Sequence, residues 1–78
     1  MNKSDPLSTC ITYSIQQYLN ELNGQDPCNF HQFFIGEVEK PFLKVIMEHV
    51  HGNQTKASEI LGINRNTLRK KLINYDLV

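Results

Sequence analysis

A stretch in the middle of the chain, residues 30–50, is apolar on more than one face when it is read as an α-helix. A helix that is apolar nearly all round is buried nearly all round. The chain has only 78 residues, and domains of this size bury only about 60% of the surface that their unfolded chains expose. The pattern therefore predicts that a second copy of the chain covers part of this helix.

Pro41 lies inside this stretch and leaves two alternatives for it. Proline lacks an N–H group, and its ring clashes with the carbonyl four residues earlier, that of Glu37. We expect either one helix that is kinked at Pro41 or two shorter helices that break at Lys40, because the residue before a proline avoids the helical region. Asn29 is the predicted N-cap of this segment, and Gly52 is predicted to end it.

Residues 7–23 predict an amphipathic helix. Apolar side chains recur on one of its faces at helical spacing: Ile11, Ile15, Tyr18 and Leu22. Ser8 or Thr9 is the predicted N-cap, because a hydroxyl accepts from the N–H groups of the first turn. Gly24 is expected to end the helix, because glycine adopts a left-handed conformation without steric cost.

The C-terminal part predicts two short helices, over residues 54–61 and 65–74, joined by a turn at Gly62. Asn53 and Asn64 are their predicted N-caps. The side chains expected to face inward are Ala57, Ile60, Leu61, Ile63, Leu68, Leu72 and Tyr75. Two short helices with a glycine turn form a helix-turn-helix. The whole sequence thus predicts an all-α fold with four helices.

Charge is divided unequally along the chain although the net charge is zero. Residues 1–50 carry three lysines against six carboxylates, a balance of −3. Residues 51–78 carry five lysines and arginines against two carboxylates, a balance of +3. A basic segment attached to an acidic body is typical of a protein that binds a polyanion through the basic part.

The outer face of the last helix predicts contacts with DNA. The side chains expected on it are Asn64, Arg65, Thr67, Arg69, Lys70 and Lys71. Arginine and lysine donate to guanine, asparagine pairs with adenine, and the first residues of the second helix usually meet base edges. We therefore expect Asn64 and Arg65 to read bases, with Lys70 as a third. The alternative is a helical hairpin whose basic residues only favour a helix C-terminus, but Arg65 lies at an N-terminus.

Other functional classes find little support in the sequence. Two cysteines, Cys10 and Cys28, are too few for a disulfide scaffold and are expected to be small buried hydrophobes. Glu37 and Glu39 are expected to form a solvated face, since no nucleophile or phosphate loop accompanies them. We therefore predict no enzymatic activity, no metal and no cofactor. No apolar run reaches membrane-spanning length, and the N-terminus does not resemble a signal peptide, so we expect a cytoplasmic protein.

Two C-terminal segments, residues 52–58 (GNQTKAS) and 61–72 (LGINRNTLRKKL), resemble the Fis (factor for inversion stimulation) family of bacterial nucleoid-associated proteins. The same helix-turn-helix ends the nitrogen-regulator class of enhancer-binding activators. Two upstream segments, residues 22–26 (LNGQD) and 37–43 (EVEKPFL), resemble the Fis family more than that class of activators.

The resemblance implies a homodimer with four helices per subunit, in which residues 1–50 form an N-terminal tail and intertwined dimerisation helices, and residues 51–78 form the DNA-binding unit. The expected dimer core is Ile15, Leu22, Phe34, Val38, Phe42 and Ile46. The resemblance implies base contacts at Asn64, Arg65 and Lys70. The expected phosphate contacts are Asn53, Gln54, Thr55, Thr67, Arg69 and Lys71.

The resemblance also implies a function. Fis-like dimers hold their recognition helices too close together for straight DNA, so the duplex bends and specificity comes largely from its deformability. We expect a transcriptional regulator in the nucleoid, with RNA polymerase as a further candidate partner. Ile73 and Asn74 occupy positions that are often basic in the family, and His51 replaces a common arginine. These differences predict weaker contacts with flanking DNA, or contacts that are pH-sensitive through His51. The alternatives are an isolated DNA-binding domain of a nitrogen-regulator-type activator and a protein–protein adaptor.

Overall fold

The computed structural model describes residues 6–78, and within that range it contains four α-helices and no strand. The helices are α1 (Pro6–Glu21), α2 (Phe30–His49), α3 (Gln54–Leu61) and α4 (Arg65–Asn74). The predicted all-α class is confirmed. The chain forms two compact units, one that ends at Phe30 and one over His31–Val78, and each is described by itself. The expected division at residue 50 stays a prediction.

Helix α1 begins earlier than the sequence predicts, at Pro6. Proline suits a first helical turn, where its missing N–H group would have no partner. The prediction of Ser8 or Thr9 as N-cap is therefore wrong, because both lie inside the helix, and the carbonyl of Ser8 accepts from Thr12 Oγ1 at 2.9 Å. No residue of α1 is fully buried, and its half-buried side chains are those of the predicted stripe, Ile11, Ile15 and Tyr18.

The connection between α1 and α2 is held by an aromatic pair. The rings of Tyr18 and Phe30 stack with their centroids 5.3 Å apart and their planes 20° apart. Gly24 has the positive φ that a turn requires, at 86°. Asn29 directly precedes α2, but its φ of 53° is left-handed, whereas an N-cap residue is normally extended. Asn29 therefore does not have the backbone geometry of the predicted N-cap.

Helix α2 runs without a break through Pro41. The alternative of two helices broken at Lys40 is wrong, because one proline removes a single N–H donor from a helix of 20 residues. A kink at Pro41 stays a prediction.

The end of α2 is closed by a left-handed residue that is not glycine. His51, with φ 55°, donates its N–H to the carbonyl of Glu48 at 3.2 Å, and Gly52 donates to Met47 at 2.9 Å. This hydrogen-bond pattern is a Schellman motif, in which glycine normally occupies the left-handed position. Gly52 was predicted to end α2. In the structure, His51 and Gly52 cap the helix together, with His51 in the left-handed position.

The helix-turn-helix has the predicted local geometry. Asn53 and Asn64 are extended, and their side chains accept from the N–H groups of Lys56 at 3.1 Å and Asn66 at 2.7 Å. Gly62, with φ 70°, closes α3 by donating its N–H to the carbonyl of Ser58 at 2.9 Å. All three predictions are confirmed.

The core lies where the C-terminal half of α2 meets α3 and α4. Its buried side chains are Leu43, Val50, Ala57, Leu68 and Leu72. Each buried leucine contributes on the order of 1.5–3 kcal/mol to folding. These contacts fix α4 against α2, and so they fix which face of α4 remains exposed.

The C-terminal end of α4 is capped and packs against this core. Asp76 has a φ of 60°, and the N–H of Leu77 donates to the carbonyl of Leu72 at 2.8 Å. The side chain of Leu77 packs against the buried cluster. The last turn of α4 therefore has a Schellman cap with its usual apolar contact.

Two burial predictions are wrong. Ile60 is 47% exposed, because Ala57 and Leu61 occupy the inward side of α3. Cys10 and Cys28 are both exposed, since one lies on the polar side of α1 and the other in the connection to α2. In the part of the chain that the structure describes, no helix combines the length and apolarity that a membrane span requires.

Two glycines with different backbone conformations, one left-handed and one helical, allow a test of this fold. Gly62→Ala places a Cβ at φ 70° and should lower the free energy of unfolding by about 1 kcal/mol, although no atom would clash with it. Gly36→Ala lies inside α2, with its Cβ 3.8 Å from Tyr75 Oη, and should raise the free energy of unfolding by about 0.5 kcal/mol. Urea unfolding at one protein concentration measures both, and equal effects at the two positions would contradict the assignment.

Candidate nucleic-acid interface

The N-terminal halves of α3 and α4 line a shallow concave surface with a volume of about 260 Å³. Its lining side chains are Gln54, Thr55, Arg65, Asn66 and Arg69. We call these five residues the basic concavity. Two of them carry guanidinium groups and none carries a carboxylate, so the surface suits an anion with oxygen acceptors.

One hydrogen bond joins the two helices across the basic concavity. Arg65 Nη1 donates to Thr55 Oγ1 at 3.1 Å. Thr55 is itself held by the first turn of α3, because its carbonyl accepts from Ser58 Oγ at 2.8 Å. The guanidinium group of Arg65 is thus directed across the surface that α3 and α4 share.

The structure separates the three predicted base-contact residues. Arg65 lies in the basic concavity, and Asn64 lies beside it as the N-cap of α4. Asn64 Oδ1 accepts from the N–H of Asn66, so the amide nitrogen of the Asn64 side chain is the atom placed to donate. Lys70 is exposed but is not among the side chains that line the concavity.

The predicted phosphate-contact residues are divided in a similar way. Gln54, Thr55 and Arg69 line the basic concavity. Asn53 is exposed at the N-cap of α3, and Thr67 is exposed on α4. The sequence reasoning gave Asn66 no contact, although it lines the concavity; its spacing from Arg65 and Arg69 is the signal that could have found it.

Lys71 points toward α2 rather than into the basic concavity. Its Nζ lies 3.0 Å from Glu39 Oε2 and 3.2 Å from Glu39 Oε1. The side chains of Lys71 and Glu39 are 37% and 24% exposed. A phosphate contact by Lys71 stays a prediction, and its ammonium group would have to leave this ion pair to make one.

Glu39 is the residue whose role the sequence reasoning missed. Tyr75 Oη donates to Glu39 Oε1 at 2.8 Å, so the carboxylate joins α2 to two side chains at the end of α4. The expectation that Glu39 is part of a solvated face is wrong. Lys71 and Tyr75 lie four positions apart, on one face of α4 and facing one acid, and that spacing was the available signal.

The contacts among Glu39, Lys71 and Tyr75 change the pKa values of two of these groups. The hydrogen bond from Tyr75 lowers the pKa of Glu39, and the Lys71 ammonium lowers it further, while burial opposes both. The same hydrogen bond, together with burial, raises the pKa of the Tyr75 phenol. A carboxyl group with a lowered pKa stabilises the fold above its ordinary value of 4.5 and loses that effect as the pH falls through the lowered value.

Glu39→Gln should remove this pH dependence. At pH 7 the variant should be less stable than the wild type by no more than about 1 kcal/mol, because the ion pair is partly exposed. The difference should shrink as the pH falls below 4.5. Urea unfolding between pH 2 and pH 7 measures it, with Glu37→Gln as a control that removes an exposed carboxylate from the same helix. A difference that persists undiminished at pH 2 would contradict the assignment.

Comparison with known proteins identifies the family. The family model described as "Bacterial regulatory protein, Fis family" matches residues 34–75, which is more than half of the chain and includes α3 and α4. The chain belongs to the Fis family. The family resemblance seen in the sequence is therefore confirmed.

Relatives with this family name match most of the chain. A protein of Neisseria meningitidis serogroup B, whose name describes it as Fis-like and DNA-binding, is 50% identical over 72 residues, which are 92% of this chain and 91% of the relative. The DNA-binding protein Fis of Aliivibrio fischeri is 47% identical over 72 residues, or 92% of this chain and 74% of the relative. That of Mannheimia haemolytica is 43% identical over the same length.

Proposed function

We propose that this Fis-family chain binds double-stranded DNA through α3 and α4. The names of its relatives describe those proteins as DNA-binding. The basic concavity carries the proposal, because it presents Arg65 and Arg69 beside neutral hydrogen-bonding groups on one exposed surface. Phosphate oxygens and guanine edges are the nucleic-acid acceptors that guanidinium groups bind best.

The positions of the side chains support a division of tasks. Arg65 and Asn64 lie at the N-terminal end of α4, the end that usually meets base edges, and Lys70 is the third proposed base contact. Gln54, Thr55 and Arg69 form the other part of the concavity and are proposed to bind phosphates, together with Asn53 and Thr67. Phosphate contacts fix the register of the protein on the duplex, and base contacts give specificity.

A homodimer is the second part of the proposal. Only Leu43 is fully buried within α2, whereas Val38, Phe42 and Val45 are 39%, 52% and 61% exposed. Apolar surface of this extent on one helix favours a protein interface. The proposed dimer core is Ile15, Leu22, Phe34, Val38, Phe42 and Ile46, all of which are half-buried or exposed in the single chain.

DNA bending follows from the dimer in this proposal. Two recognition helices held closer together than one helical turn of DNA, about 34 Å, can both enter the major groove only if the duplex bends. Such a protein selects sites by their deformability and minor-groove width, and it can therefore occupy many sites. We propose that the chain organises DNA in the nucleoid of the cytoplasm and regulates transcription there, with RNA polymerase as a candidate partner.

The salt dependence of binding tests the proposal. Each phosphate that a cationic side chain neutralises changes the log–log salt slope of DNA binding by about −0.9. Arg69→Ala removes two cationic contacts per dimer and should make the slope less negative by about 2, whereas Lys44→Ala, on the exposed side of α2, should leave it unchanged. Fluorescence anisotropy at several salt concentrations measures the slope, and circularly permuted fragments of the same DNA report the bend. Absence of salt-dependent binding would favour an adaptor instead.

Sedimentation equilibrium tests the dimer. The wild type should have a mass of two 9.0-kDa chains at micromolar concentration. Phe42→Ser should shift the equilibrium toward monomer, because it removes an exposed aromatic side chain from the proposed interface. Ile73→Ser is the matched control, since Ile73 is 55% exposed and Phe42 52%, but Ile73 lies on α4. A monomeric wild type, or equal effects of the two variants, would contradict the dimer.

A further inference from the structure

The Thr55 hydroxyl accepts a hydrogen bond from the guanidinium group of Arg65. We propose that Thr55 is a positioning residue that determines specificity, because it orients Arg65 for a guanine edge. The inference rests on the proposed DNA binding and goes beyond it, since a phosphate contact alone would give Thr55 no influence on which base is preferred.

The bond between Arg65 and Thr55 is placed to act on orientation rather than on folding. It joins the second residue of α3 to the first residue of α4 over 3.1 Å. Both side chains are exposed, and both line the basic concavity. A hydrogen bond between exposed groups adds little to stability, because water offers comparable partners when it is broken. Its main effect is therefore to restrict where the guanidinium group points.

Thr55 is itself held firmly enough to restrict Arg65. A β-branched side chain in a helix has few χ1 rotamers, so the hydroxyl has few positions. The backbone of Thr55 lies in the first turn of α3, which is fixed by the Asn53 cap and by the hydrogen bond from Ser58 Oγ to the Thr55 carbonyl. The acceptor that Arg65 meets is thus part of a rigid element.

Arg65 and Thr55 have enough hydrogen-bond donors to make all the proposed contacts at the same time. An arginine has five N–H groups, and the bond to Thr55 uses one at Nη1, so the guanidinium edge can still donate to O6 and N7 of guanine. The Thr55 hydroxyl accepts from Arg65 and keeps its own hydrogen to donate to a phosphate. The Thr55 hydroxyl can therefore contact a phosphate and orient Arg65 toward a base at the same time.

A restricted orientation of the Arg65 side chain before DNA binds favours discrimination between bases. A long arginine side chain loses rotamer freedom when it binds a base, and a side chain that is already oriented loses less. An Arg65 released from Thr55 could instead reach neighbouring phosphates, which are the same at every sequence. Loss of the Thr55 hydroxyl should therefore weaken the preference for guanine more than it weakens the affinity for DNA in general.

The experiment compares the choice of base among three proteins. Selection from a random DNA pool with the wild type and with Arg65→Ala first identifies the base pair whose guanine preference depends on Arg65. Dissociation constants are then measured for duplexes with G·C or A·T at that pair, using the wild type, Thr55→Val and Thr55→Ser. Valine keeps the shape of threonine without the hydroxyl, and serine keeps the hydroxyl.

The expected result is that Thr55→Val lowers the G·C to A·T affinity ratio by about threefold or more, a part of what one bidentate contact supplies. Thr55→Ser should keep the ratio of the wild type. Circular dichroism and thermal unfolding should show that both variants fold as the wild type does.

Two results would overturn the inference. If Thr55→Val weakens binding to both duplexes by one factor, Thr55 is only a phosphate contact. If it changes neither affinity, the bond has no role in recognition. Failure of the proposed function is distinct, because the wild type would then bind neither duplex, and the inference would fall with it.

Discussion

The exposed face of α4 is determined by three leucines that water scarcely reaches. Leu68 and Leu72 of α4 are fully buried, and Leu43 of α2 is 2% exposed. Because Leu68 and Leu72 are four positions apart, their burial defines the inward side of α4. Arg65, Asn66 and Arg69 remain exposed. The Glu39 carboxylate adds polar contacts to Lys71 and Tyr75 at the end of the same helix. The position of the basic concavity therefore depends on the apolar packing that fixes α4 against α2.

The local geometry of the helix-turn-helix was predictable because single residues determine it. Asparagines at positions 53 and 64 satisfy the N–H groups of a first turn, and Gly62 accepts a positive φ, so each acts over a distance of a few residues. The stripe of Leu68, Leu72 and Tyr75 was predictable for the same reason, since helical periodicity alone places them together.

Other features could not be predicted because they depend on contacts between distant segments. The pairing of Glu39 with Lys71 and Tyr75 spans more than thirty residues, and periodicity does not specify which faces of two helices meet. The left-handed backbone of His51 was missed because Gly52, next to it, is the usual residue for that role. The direction of Arg65 was missed too, since it depends on where the crossing of α3 and α4 puts a hydroxyl.

Helix α2 contributes to two structures at once. Leu43 belongs to the core that supports α3 and α4, while Val38 and Phe42 on the same helix remain exposed and belong to the proposed interface between subunits. Segment 51–78 consequently lacks part of its own support without α2. If two copies pair through α2 and the pair binds DNA more tightly than one chain does, the two equilibria are thermodynamically linked: DNA strengthens pairing by the same factor by which pairing strengthens DNA binding. The total concentration of the chain would then set its apparent affinity for DNA through mass action.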